Sequence, residues 1–251
     1  MTVDSQPPSE GRFVTRLARR CEIPRMTAIR YDAFAPSPHN TTPDELSRLL
    51  ETEPDPELGR TVTREESLTR ANKTFQELFD KNKYHIVGVY HTSSTSIENQ
   101  QGDLHDSSDL PPDAIMTGFA LWHRIDSSTE PDSPETDEKE RQHPGLLNRF
   151  MAQLNRTRER VMKGERYWFL KLLVIDPEWQ RKGLGTMLVK WGTARADQEG
   201  VVAWLESSPM GKGTYLKAGF KVAGLDRVDE KRAAKGFVEW PYMVHDGRKA
   251  Q

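Results

Sequence analysis

Between Leu172 and Trp191 the chain reads LLVIDPEWQRKGLGTMLVKW, and its centre, QRKGLG, sets two basic side chains and two glycines between an apolar run and a helical pattern. Gly183 and Gly185 leave the backbone open to close approach. A helix starting there points its free N–H groups and positive dipole end the same way. That chemistry suits an anion, a phosphate above all. The plainer alternative is a glycine turn with solvated basic residues. A dinucleotide fingerprint would need a third glycine where Leu188 stands, and a Walker A loop would need a Lys-Ser or Lys-Thr pair after a glycine, which this turn lacks.

Composition narrows the context. Lys plus Arg number 36 against 38 Asp plus Glu, so there is no global basic field to draw nucleic acid or an anionic membrane. Neither is expected as a partner. Cys21 is the only cysteine, which excludes an internal disulfide; a packed thiol is expected. The start, MTVDSQPPSE, has no apolar signal region, and no apolar run approaches membrane-spanning length. A soluble, cytoplasmic protein is expected, with no metal.

The elements that must hold the turn can be read from periodicity. RFVTRLARR predicts a first strand with Phe13, Thr15 and Leu17 on one side, and PRMTAIRYDAFA a short helix. Capping boxes at Thr42–Glu45, with Pro43 at the first helical position, and at Thr63–Glu66 open two more helices. YHIVGVYHT and AIMTGFALWHRI predict strands; the polar stretches after each are expected to be loops, the second (DSSTEPDSPETDEKERQHP) mobile. In PGLLNRFMAQLNRTRERVMKGE, Leu147, Phe150, Met151, Leu154, Val161 and Met162 form a helical stripe, while Arg156, Arg158 and Arg160 suggest a solvated face. RYWFLKLLVID is apolar enough to be a central strand. A helix from Leu184 to Gly200, the strand VVAWLESS, a helix opening at Ser208-Pro209 and closing at Gly219, and the strands FKVAGL and FVEWPYMV complete the chain. Pro241 suits an edge or a bulge. The order gives a mixed α/β or α+β sheet.

Gln180-Arg181-Lys182-Gly183-Leu184-Gly185 resembles motif A of the GNAT superfamily of acyl-CoA-dependent N-acyltransferases, whose pattern is (Gln or Arg)-x-x-Gly-x-(Gly or Ala). SSPMGKGTYLKAGF, with Tyr215 four residues before Gly219-Phe220, is similar to that family's motif B. The resemblance covers roughly Pro144 to Val222 and looks most like fungal small-molecule members. It implies a mixed, largely antiparallel twisted sheet of about seven strands, flanked by helices and splayed at its centre. Residues 12–246 would form one N-acetyltransferase domain with insertions near 96–112 and 126–144, after a disordered 1–11 and before a tail at 247–251. It also implies acetyl-CoA as co-substrate. Its pyrophosphate would lie on the backbone of Arg181, Lys182, Gly183, Leu184, Gly185 and Thr186, beside Gln180. Its pantetheine arm would lie along Leu173, Val174 and Ile175, with Ser208 and Lys217 adding contacts.

The implied reaction is attack by an amine on a thioester. An alkylamine is almost wholly protonated at neutral pH, so a base must take its proton, and the departing thiolate wants one. By similarity to the family, Tyr215 is placed to serve the sulfur, and a free backbone N–H near Val174 or Ile175 the oxyanion. The fourth-strand positions that carry a Glu or His base in some relatives are Phe169 and Lys171 here, so the base is open: Glu206, His123 and Asp126 are the candidates, or a water relay. Tyr31, Phe34, Trp122, Tyr167 and Trp168 fall on segments that line the acceptor groove in relatives, and most of them are expected in the core. A small primary amine is the expected acceptor, the protein a monomer or homodimer. The alternatives are a protein-lysine acetyltransferase and a catalytically silent acyl-CoA sensor.

Overall fold

A computed structural model describes residues 11–34, 44–93, 109–126 and 133–249. Seven strands form one sheet in the order β1-β2-β3-β4-β5-β7-β6: β1 (Arg12–Leu17), β2 (Tyr84–Thr92), β3 (Ile115–Ile125), β4 (Tyr167–Ile175), β5 (Val202–Glu206), β6 (Lys221–Asp229) and β7 (Phe237–Asp246). Every neighbouring pair is antiparallel except β4 with β5. That parallel pair needs a crossover, and α6 (Leu184–Glu199) supplies it.

Helix α6 and the short α7 (Lys212–Lys217) cover one face. Leu184, Leu188 and Trp191 of α6 pack there with Val87, Ala120, Trp122, Trp168, Leu170 and Leu205 from the strands. Gly192 is needed because a Cβ there would overlap the Trp122 ring, and the Trp122 indole donates to the Leu188 carbonyl at 3.1 Å. The opposite face is shared. Helices α1 (Ile23–Phe34) and α3 (Arg64–Lys81) lie over β1 to β4, where Met26, Ile29 and Phe75 meet Phe119, Leu121 and Val174. Helix α5 (Leu146–Met162) runs over β5, β7 and β6, with Phe150 and Leu154 against Val228 and Val238, and Met162 beside Tyr167 and Trp204.

Several expectations change. Helix α2 (Glu45–Glu51) is capped by Asp44, which accepts from Ser47 N; Thr42 and Pro43 lie outside the described residues, as do most of the insertion at 96–112 and residues 1–10 of the expected disordered start. The acidic stretch expected to be a loop contains helix α4 (Ser133–Gln142), whose last turn carries Lys139 and Arg141, cations suited to a helix C-terminus. Asp137 and Glu140 pair with Arg156 of α5. On α5 the stripe is rotated from the one expected: Leu147, Met151 and Val161 are exposed, whereas Asn155, Thr157 and Arg158 are buried. Arg158 was expected in solvent, but it sits four residues from both Leu154 and Met162, on the buried stripe itself. Cys21 is exposed, because the short 3₁₀ turn Arg20–Glu22 that carries it buries none of its residues. Pro241 is interior, in β7, but it lies past the last rung with β5, and the register of β6 slips close by, between Val222 and Gly224. Among the described residues no helix is long and apolar enough to cross a membrane.

Candidate active site

Strands β4 and β5 pair over only four rungs, from Tyr167↔Val202 to Leu170↔Leu205, after which β4 continues to Ile175 with β3 alone as its neighbour. β5 turns away: Ser207 N donates to the Pro241 carbonyl of β7 at 2.8 Å. The sheet therefore forks at its centre, and among the described residues no strand pairs with the other edge of Lys171–Ile175. At the crotch the β3 register passes from Trp122↔Leu170 to Leu121↔Leu172, which leaves Lys171 as the extra residue of a bulge. The bulge puts Lys171 and Leu172 on one face, so Lys171 stands exposed beside Tyr84, its Nζ 3.2 Å from the hydroxyl.

The glycine turn sits at the end of the free edge. Asp176 closes β4: its carboxylate accepts from Glu178 N and pairs with Arg25 of α1 at 2.5 Å, while its N–H reaches the Thr117 carbonyl. Arg25 also donates to the Met116 carbonyl, so α1 is tied to both β3 and the turn. Gln180 reaches back to the Ile175 carbonyl at 3.3 Å. Arg181 (φ 64°) and Gly183 (φ 83°) are both left-handed, a conformation that costs little at glycine and more at arginine. No side chain caps α6, and a Cβ on Gly183 would meet nothing. The first N–H groups of a sixteen-residue helix thus face open space, which fits a phosphate. Lys182 is held over the Trp179 ring at 4.4 Å, and the Trp179 ring lies tilted against that of His91, 4.6 Å between centroids. Gly185 has a packing role as well, since a Cβ there would meet Thr214 at 3.3 Å and Leu173 at 3.6 Å.

Leu173 and Ile175 face α6, Val174 faces α1, and Leu184 is buried; Thr186 is half-buried. Ser208 is occupied in the turn before α7, its hydroxyl accepting from Gly211 N at 3.1 Å, and Lys217 is exposed at the end of that helix. Tyr215 is buried in the same core as Leu170, Leu184 and Leu205, with its ring edge-on to Phe220, and burial pushes its phenol up to about 12. Trp122 and Trp168 lie in the core beneath α6, since both point to the face that helix covers. Tyr167 packs under α5. Tyr31 stacks with Arg64, and Phe34 is exposed at the end of α1.

On the face away from α6, Glu206 follows the last paired rung of β5. Its side chain is 7% exposed and anchored by Arg158 Nη1 at 2.8 Å and Trp204 Nε1 at 2.6 Å. Both donors converge on Oε1. Among the described residues none donates to Oε2. Burial raises the carboxyl above its ordinary value against the pull of Arg158. Arg158 also donates to Asn155 and covers the Phe169 ring at 3.9 Å, so one buried guanidinium spans β4 and β5 just before they part. His123 lies one strand to the other side, opposite Phe169, with its ring 4.8 Å from Tyr84. Asp126, just past the end of β3, pairs with Arg124. The fork thus brings Glu206, Lys171 and His123 to one face and Tyr215 to the other.

The acetyltransferase (GNAT) domain profile matches residues 151–222. An acetyltransferase from Stachybotrys chartarum (strain CBS 109288 / IBT 7711) is 30% identical over 93 residues, covering 37% of this chain and 40% of that protein. The mosquito arylalkylamine N-acetyltransferase like 5b superposes with a TM-score of 0.55 at 14% identity, over 94% of this chain and 100% of that one. Arylalkylamine N-acetyltransferase 2 from Aedes aegypti gives 0.57 at 13%, covering 94% and 99%. The Drosophila melanogaster polyamine N-acetyltransferase gives 0.55 at 11%, covering 94% and 100%. At such identities the superpositions speak for the fold: seven strands around a forked β4–β5 pair, with an uncapped glycine turn opening the crossover helix inside the matched segment. Residues 151–222 thus match an acetyltransferase (GNAT) domain, and the fold is similar to that of N-acetyltransferases.

Proposed function

We propose that the protein transfers the acetyl group of acetyl-CoA to a primary amine of a small molecule, by direct attack in a ternary complex. The observation that carries the proposal is the fork. A strand edge with no partner strand among the described residues ends at an uncapped helix N-terminus, which suits an extended chain terminating in a phosphate. Backbone N–H groups from Arg181 to Thr186 hold the pyrophosphate, with Lys182 beside it, and the free edge at Leu173–Ile175 pairs with the pantetheine arm. Acetyl-CoA brings an activated carbonyl to this edge. A backbone N–H at Val174 or Ile175 is the oxyanion donor.

Glu206 is the favoured base. Its Oε1 is fixed by two donors, Oε2 is left to accept, and its raised carboxyl value brings it closer to neutrality, where a base works best. Tyr215 remains neutral at any physiological pH, since its phenol sits at about 12. A thiol ionises near ~8.5, so full proton transfer from this phenol to a free thiolate runs uphill. Its role is that of a hydrogen-bond donor to the sulfur as charge develops there. Small-amine acceptors agree with the arylalkylamine and polyamine enzymes that share the fold. The test is a screen of the purified protein with acetyl-CoA against alkylamines, arylalkylamines, amino acids and lysine peptides, read by thiol release. Turnover confined to lysine peptides, or none with any acceptor, would overturn the reading.

A further inference from the structure

Beneath α5 lies a buried polar cluster, and its charges do not balance. Asp226 of β6 is 4% exposed. Its Oδ1 accepts from Thr157 at 2.5 Å and Gln153 at 3.1 Å, while Oδ2 is buried with no partner among the described residues. Glu206, close enough for the two negative charges to feel each other, has its own unfilled Oε2. The buried cation in reach, Arg158, directs its Nη groups to Glu206 and Asn155. Among the described residues no cation pairs with Asp226. A buried carboxylate oxygen left without a donor is costly, and a missing ion or ligand is one of the few explanations for it.

The residues between the two carboxylates suit a cation. Tyr242 of β7 pairs with Glu206 on one side and Gly224 on the other. Its ring stacks on Trp204 at 4.9 Å and leans over Gly224, where a Cβ would strike its hydroxyl. This leaves a half-buried aromatic floor with a carboxylate at each end, which favours an alkyl chain bearing positive charge. The reacting amine must be neutral when it attacks, so it is not the group that a fixed carboxylate holds as a cation.

We propose that Asp226 seats a second positive charge on the acceptor, which is therefore a diamine or guanidino-amine rather than a monoamine; this rests on the acetyl-transfer reading above. Asp226 lies three strands from β4, about 14 Å at the backbone at ordinary strand spacing, so the longer members of a diamine series fit best.

The test compares α,ω-diamines of four to ten carbons with the monoamines of equal length, in the wild-type protein and in Asp226→Asn. The variant keeps Oδ1 for Thr157 and Gln153 and puts an N–H donor where Oδ2 was. The wild type is expected to favour the diamine, and the variant to lose that preference by on the order of 10- to 100-fold in kcat/KM, with monoamine turnover, melting temperature and acetyl-CoA affinity little changed. Equal use of diamine and monoamine by the wild type sinks the inference even if the variant does not fold. So does a variant that loses both substrates in proportion, which marks Asp226 as structural. If no amine of either kind turns over, the acetyl-transfer reading fails instead. Calorimetry of a long diamine against its monoamine, with CoA present, then still tests Asp226, and equal affinities would overturn it.

Discussion

Glu206 and Tyr215 show how burial changes what a side chain can do. Glu206 needs its proton off to act as a base, and burial holds that proton on to higher pH. Activity is therefore expected to rise with pH along an acid limb lying above the ordinary carboxylate value near 4.5, and Glu206→Gln should remove that limb while lowering kcat by about 10²- to 10⁴-fold. A limb that persists in the variant assigns the base elsewhere. The same change leaves Arg158, 3% exposed, without its anion, at a cost of about 3 kcal/mol or more, so a fall of several degrees in melting temperature should accompany it. For Tyr215, a phenol at about 12 argues for donation of a hydrogen bond rather than of the proton. Tyr215→Phe should cut kcat by about 10²- to 10³-fold, the range for one lost transition-state donor, and leave KM and acetyl-CoA affinity nearly unchanged. Equal turnover in the two proteins would remove Tyr215 from the mechanism.

Helix α5 ties the right half of the molecule to the fork, and its far end is held by charge. Glu53 accepts from Leu146 N at 2.8 Å, doing the capping that Gly145 has no side chain to do. Glu230, in the β6–β7 turn, accepts from Arg149 of α5 and from the side chain and N–H of Arg232, which hold its carboxyl down at about 2. A value lower in the folded than the unfolded chain means stability that is present above about pH 4.5 and lost as pH falls through about 2. Glu230→Gln should cost about 1–3 kcal/mol at pH 7, and the gap from wild type should narrow on acidification. Urea titrations at pH 7, 4 and 2.5 check this; a constant gap would show that the charge is not what matters. Elements of this kind were only partly legible in the sequence. Helix α6 and strand β2 follow from Gly200 and from branched apolar runs, whose signals are local. The burial of Arg158 has a local signal in its spacing from Leu154 and Met162, but an arginine is stable there only through its partner Glu206, 48 positions away, which the local sequence does not show. The face that Trp122 and Trp168 take depends on which helix covers the strand, a relation that no local signal in the sequence carries. Asp226 carried no sequence signal at all: its meaning depends on an oxygen left unpaired in three dimensions.

At the scale of the whole molecule the sheet is two half-sheets joined by four parallel rungs, with α6 packed across the join on one face and Arg158 clamping it on the other. Backbone groups of β4 beyond Leu170 that face away from β3 have no strand to bond among the described residues, so this seam is where local opening should be easiest. Acetyl-CoA lying along that edge as an added strand would satisfy those groups and link β4 to the helix of the glycine turn. Binding is therefore expected to raise the melting temperature, by an amount equivalent to about 2.7 kcal/mol at a ligand concentration one hundred times Kd. The gain should also be localised. In hydrogen exchange, acetyl-CoA should slow the amides of Lys171–Ile175 and of Arg181–Thr186 more than those of β6 and β7, which already pair with each other. Uniform protection would mean that the ligand tightens the molecule without using the fork. Strong binding with unchanged exchange at Lys171–Ile175 would place the pantetheine arm elsewhere, and the open edge of β4 would then be a feature of the sheet alone.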